Sequence, residues 1–139
     1  MKYMSTIKRV KHFCGALVPY KIIINYDKEH YKELLEKYNN LNKSININDN
    51  DIIKQLQIVT EEINKIKYVL IKNGEEINIE DDVKSIFVCL NDFDSDSVYI
   101  FTYSNQINIK PNKNYEIITK FHWKKNEFII KEKETDYSI

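Results

Sequence analysis

Residues 68–80 read YVLIKNGEEINIE, and the folding of this stretch decides the architecture of the second half of the chain. Asn73 and Gly74 stand between two β-rich flanks. That arrangement predicts a hairpin, because both central residues of a type I′ turn need positive φ and Asn-Gly supplies it most readily. Further on, "SIFVCLN" (85–91) and "SVYIFTY" (97–103) are almost continuously apolar, the pattern of strands covered on both faces. "QINIK" (106–110) alternates briefly before Pro111. "NYEIITKFHW" (114–123) and "EFIIKEK" (127–133) read as a closing hairpin joined around "KKN", with Tyr115, Ile117, Thr119, Phe121 and Trp123 on one face.

Upstream of residue 68 the period changes. "DKEHYKELLEKY" (27–38) opens with Asp27 as N-cap and sets Tyr31, Leu34, Leu35 and Tyr38 on one helical stripe. A second helix follows the capping-rich "NINDND" and runs from about Asp51 to Lys67. Its apolar positions are Ile52, Leu56, Val59, Ile63, Ile66 and Leu70, spaced alternately by four and three. Before the helices, "GALVPYKIIINY" (15–26) alternates with period two, placing Val18, Tyr20, Ile22, Ile24 and Tyr26 together; Pro19 marks a strand start or an edge. "TIKRVKHF" (6–13) reads as a shorter strand. The expected fold class is therefore α+β: a mainly antiparallel β-sheet or sandwich with a two-helix insertion at about residues 28–67, all in one domain of 139 residues.

Composition narrows the chemistry. Two glycines leave no glycine-rich loop for a phosphate, and no Walker, Rossmann or nucleophile-elbow motif is present. Cys14, Cys89, His12, His30 and His122 are scattered without zinc-ligand spacing, so no cofactor is expected and both cysteines are expected in the core. His12 and Cys14 share a strand face, but a dyad usually assembles from distant segments. Asp92, Asp94 and Asp96 alternate like the start of a calcium loop. The sixth and twelfth positions then hold Ser97 and Tyr103 where an EF-hand needs Gly and Glu, so an acidic turn is the reading preferred over a metal site.

Formal net charge is zero, which disfavours polyanion binding in the total, yet the charges are segregated. Residues 1–26 carry five basic residues and no acid, whereas residues 75–96 carry eight acids against Lys84 alone. Two neighbouring elements of opposite sign that face each other across a sheet, or that share a solvated edge, are the expected account. As interaction surface the candidates are Lys8, Arg9, Lys11, Trp123, Lys124 and Lys125. The aromatic and basic "KFHWKKNEF" could stack bases, although burying its aromatics serves a small domain better. No apolar run approaches the roughly 20 residues of a membrane span and the N-terminus lacks a signal-like apolar region, so a cytoplasmic protein is expected.

"IKRVKHFCGALVPYKIIIN" together with "IKNGEEINI", "SIFVCLN", "SNQINIKPNKNYEIITKFHW" and "FIIKE" resembles small bacterial β-sandwich domains of uncharacterised function, in which a strand ending V-P-Y-K-I leads through a tight turn to a K-N-G-E hairpin. The resemblance covers residues 6–26 and 68–132 and departs at the helical segment 27–67. It implies a fold, no activity and no catalytic residues. The functional expectation is a non-catalytic binding domain whose partner is another protein, or a second copy of itself in a homodimer. The alternatives are a phage or mobile-element inhibitor of a host defence complex, similar to anti-CRISPR proteins, and a single-stranded nucleic-acid binder.

Overall fold

The computed structural model describes residues 5–12, 19–43, 49–90, 103–122 and 125–133, with residues 121, 122, 125 and 126 described by their backbone. These form two compact units: the described parts of Met1–Asn25 and Tyr68–Ile139, and those of Tyr26–Lys67.

The first unit contains two four-stranded sheets. In chain order the strands are β1 (Ser5–Arg9), β2 (Tyr20–Ile24), β3 (Tyr68–Ile71), β4 (Glu76–Ile79), β5 (Ser85–Leu90), β6 (Ile107–Asn108), β7 (Asn114–His122) and β8 (Lys125–Glu132). One sheet has the order β4-β1-β7-β8 and the other β3-β2-β5-β6. All pairings are antiparallel except β1 with β7, which run parallel with Thr6 opposite Asn114. The α+β, sheet-dominated class expected from the sequence is thus what the chain adopts.

The two sheets share one core. Ile7, Ile79, Tyr115, Ile117, Phe128 and Ile130 from the first meet Tyr20, Ile22, Ile71, Ile86 and Val88 from the second. Burial of this many large apolar side chains, at about 25 cal/mol per Å² removed from water, is the main force holding the sheets together. Directional contacts fix their alignment: the Tyr20 and Phe128 rings lie 4.6 Å apart between centroids, and the Tyr20 hydroxyl and Thr119 Oγ1 are hydrogen-bonded at 2.8 Å.

The Asn-Gly stretch does not form the expected hairpin. β3 pairs with β2 in one sheet, while β4 pairs with β1 in the other, so residues 72–75 carry the chain from sheet to sheet. Gly74 has φ +79° and Asn73 is not among the residues of positive φ. The Glu75 amide donates to the Lys72 carbonyl at 3.0 Å. A single positive φ at the third position marks a type II turn, whose geometry does not bring the flanking strands into register as a type I′ turn does. The Glu75 carboxylate also accepts from the Lys72 amide at 3.0 Å, closing the corner from the other side. Long-range pairing with β1 and β2 has outweighed the local signal.

The second unit is a pair of helices, α1 (Lys28–Lys43) and α2 (Asn50–Lys65). Each starts on the expected kind of residue: Asp27 accepts from the His30 amide at 2.9 Å, and Asp49 from the amides of Asp51 and Ile52. Tyr31, Leu34 and Val59 of the apolar stripes are buried. Leu70, read above as the end of the second stripe, belongs instead to β3. The chain turns extended at Ile66, with φ −74° and ψ 124°, which ends the helical repeat before Leu70 is reached. In chain order this unit lies between β2 and β3, two strands that pair with each other.

Candidate interaction surface

The outer face of the β4-β1-β7-β8 sheet is polar by design of its register. Lys8 stands opposite Glu76 on one side and Glu116 on the other, and Glu116 stands opposite Lys131, so one row alternates in sign across all four strands. In the next row Asn78, Thr6 and Asn114 are uncharged, with the Thr6 hydroxyl donating to Asn114 Oδ1 at 2.7 Å. Of the basic N-terminal segment and the acidic segment after residue 75, Lys8 and Glu76 thus face each other across β1 and β4. Opposite charges directly across strands contribute a few tenths of a kcal/mol each and keep the face hydrated.

The candidate basic residues separate within this frame. Lys8 is exposed in the alternating row. Lys11 is exposed too, and its aliphatic stem passes so close to Gly74 that a Cβ there would meet Lys11 Cγ and Cε at 2.8 Å. Arg9 is not on a surface: it is 1% exposed. Its guanidinium donates to the Ile71 carbonyl at 3.1 Å, and burial pulls its pKa down while the adjacent Tyr20 opposes the shift. Strand alternation explains this, since Ile7 and Arg9 share the inward face and the basic run "IKRVK" gives no sign of which lysine or arginine faces in. Trp123, Lys124, Asp92, Asp94 and Asp96 lie outside the described residues, as does Cys14, and Lys125 is described by its backbone in β8.

The β3-β2-β5-β6 sheet is built differently. Ile86 and Val88 of β5 point into the shared core, and Phe87 and Cys89 on its opposite face are buried as well. Lys21, also buried, places its Nζ 4.1 Å from the centre of the Tyr68 ring. Desolvation lowers the Lys21 pKa and Cys89, its cross-strand neighbour, works against that shift. Tyr103, whose ring centre is 6.3 Å from that of Phe87, has its pKa pushed up to about 12, by burial first and by Cys89 second.

At one end of this sheet is β3, with a single strand neighbour among the described residues. Tyr68, Val69 and Leu70 are 49%, 38% and 43% exposed. Three consecutive apolar residues on an edge offer apolar side chains to both faces and a row of backbone donors and acceptors to whatever lies alongside. Sequence reading missed this site, because the Asn-Gly signal assigned β4 to that edge. The signal that was available is the absence of any charged residue or proline within residues 68–71, two of the devices by which edges are usually blocked.

Two other groupings have less to offer a ligand. A cleft of about 250 Å³ is lined by Ser5, Glu80, Asp81, Lys84 and Lys110. The Ser5 hydroxyl there is committed to backbone, donating to the Lys110 carbonyl at 2.6 Å and accepting from the Lys113 amide at 3.2 Å. In the helical unit, Glu62 Oε1 accepts from the Tyr26 hydroxyl at 3.0 Å and lies 3.1 Å from His30 Nε2. These contacts hold the Glu62 carboxyl below its ordinary pKa, His30 contributing most. Burial and the Glu62 carboxylate together push Tyr26 up to about 12. The trio links the start of α1 to the last turns of α2. Among the described residues no group of three or more His, Cys, Asp or Glu is placed to hold a metal ion, and no helix is long and apolar enough to cross a membrane.

No family model matches the chain, and no curated protein matches it. A solved structure, that of the T6SS lipoprotein TssJ1 from Pseudomonas aeruginosa, is similar over 94% of this chain and 98% of that chain, at 9% identity and a TM-score of 0.35. A likeness that slight leaves function to be argued from this chain's own residues.

Proposed function

We propose that the chain is a non-catalytic protein-binding domain that receives an extended strand along the outer edge of β3. The observation that carries this reading is the run Tyr68-Val69-Leu70, exposed on an edge strand in a fold whose other sheet turns an alternating row of charges to solvent. Strand addition of this kind draws affinity from main-chain hydrogen bonds and specificity from alternate side chains, and it needs no pocket. The zero net charge suits a partner recognised by backbone and apolar contact more than one recognised by charge.

The test is quantitative capture of binding partners by the intact chain and by Val69→Lys, each first shown by circular dichroism to be folded, because Val69 shares a face with the buried Ile22 and Ile71. A protein bound saturably by the first and lost by the second supports the reading. A partner held equally well by both would move the interface off β3.

A further inference from the structure

Resting on that reading, we infer that the strand received by β3 is β3 of a second copy of this chain, paired antiparallel about a two-fold axis that passes midway between Val69 and its symmetry mate. The geometry is restrictive. In an antiparallel sheet, residues directly opposite share a face, and a two-fold axis perpendicular to the sheet keeps each face on its own side. The axis must therefore lie level with one residue of β3 and not with the gap between two consecutive residues.

Centred on Val69, the pairing sets Tyr68 opposite Leu70 of the partner subunit and Leu70 opposite Tyr68 of the partner subunit, while Val69 meets its own symmetry mate. Each exposed residue is then covered by another exposed residue. Within one copy, Val88, Ile22 and Val69 already lie side by side on adjacent strands. The axis doubles this row into six contiguous β-branched side chains, the residue type that packs best on a pleated surface. On the opposite face, Lys21, Leu70 and the partner's Tyr68 fall in line, repeating across the seam the apolar and aromatic surroundings that the Lys21 stem has within one copy.

Centring on Leu70 fits less well. It would bring Ile71, fully buried and with its carbonyl already accepting from Arg9, to the position next to the axis, opposite the partner's Val69, whereas centring on Val69 leaves Ile71 at the strand end, opposite the partner's Lys67. No charged side chain stands within β3, and a net charge of zero adds no long-range repulsion between copies. The seam is short, well below the roughly 800 Å² per partner of a stable complex, so the dimer should be weak, with a Kd on the order of 100 µM.

The experiment uses the full chain carrying Val69→Cys, with the unsubstituted chain as background because Cys14 and Cys89 are its own thiols. Under mild oxidation Val69→Cys is expected to give a disulfide-linked dimer beyond that background, since only residues facing each other bring Cβ atoms within disulfide reach. Tyr68→Cys alone should not cross-link, whereas Tyr68→Cys combined with Leu70→Cys should. Sedimentation of the unsubstituted chain should show the average mass rising with concentration, and Val69→Lys, at a concentration and temperature where its circular dichroism shows it folded, should hold it at the monomer. A folded chain that stays monomeric to millimolar concentration without the Val69→Cys cross-link overturns the inference. If Val69→Lys still abolishes capture of a different protein in that case, strand addition at β3 stands and only the second copy is lost; if it does not, both fall. Cross-linking as strong at Tyr68→Cys as at Val69→Cys overturns the Val69-centred pairing.

Discussion

Arg9 of β1 lays its guanidinium carbon 3.4 Å from the centre of the Tyr20 ring of β2, joining the two sheets through a stacked cation at the middle of the core. The same group donates to the Ile71 carbonyl on β3, so one side chain of β1 reaches both β2 and β3. A planar guanidinium can stack and donate at once, which an ammonium cannot. Arg9→Ala is expected to destabilise by about 3 kcal/mol in urea unfolding, through the lost stack and an unpaired carbonyl. Arg9→Lys should recover little of it. Arg9→Met, which restores volume without charge, should recover more than Arg9→Lys; the reverse order would mean that charge, not shape, is what the site needs.

Tyr20 holds the sheets together by a second route, its bond to Thr119. Tyr20→Phe keeps the ring against Phe128 and leaves the buried Thr119 hydroxyl without that partner, at a cost of about 1 kcal/mol. Adding Thr119→Val to Tyr20→Phe removes the stranded hydroxyl and should cost less than the sum of the two single changes. Additive losses in that cycle would show that the 2.8 Å contact contributes nothing specific.

At the corner between the sheets, Gly74→Ala meets two obstacles, a φ of +79° that side chains rarely adopt and the Lys11 stem at 2.8 Å. A loss of about 1–2 kcal/mol is expected from the backbone. Gly74→Ala combined with Lys11→Ala clears the contact and leaves the backbone penalty, so the double change should still be destabilised. Full rescue would trace the effect to crowding alone.

Glu62 gives the helical unit a pH dependence of defined sign. Its folded pKa lies below the ordinary 4.5, because His30 and Tyr26 bond to the carboxylate. Its contribution is therefore present above the unfolded pKa and is lost as pH falls through the folded value. Both His30 and Glu62 are about half exposed, so the effect stays below about 1 kcal/mol. Helical circular dichroism should show the melting temperature falling as the pH drops below about 4.5, with a shallower fall for Glu62→Gln. Equal slopes would remove Glu62 from the account.

How much of this was legible before the structure can be traced residue by residue. The helices were, because Asp27 caps the first and both stripes recur every three or four residues. The two-faced burial of β5 was readable from its unbroken apolar run. Partner choice among strands was not: Asn73-Gly74 carries a strong local signal for a hairpin, and nothing in the sequence reports that Ile7 and Ile22 compete for the flanking strands. The inward turn of Arg9 was hidden for a related reason, since a basic run with weak alternation does not declare its register. Finding the exposed edge depended on both.

The functional reading requires that one side of β3 be unoccupied by β4, and cross-strand nuclear Overhauser contacts in the isolated chain test this most directly. The account predicts contacts of Val69 with Ile22 and of Ile77 with Ile7, and none between Leu70 and Ile77. Strong Leu70–Ile77 contacts would close the Asn-Gly hairpin, fill the edge and contradict it.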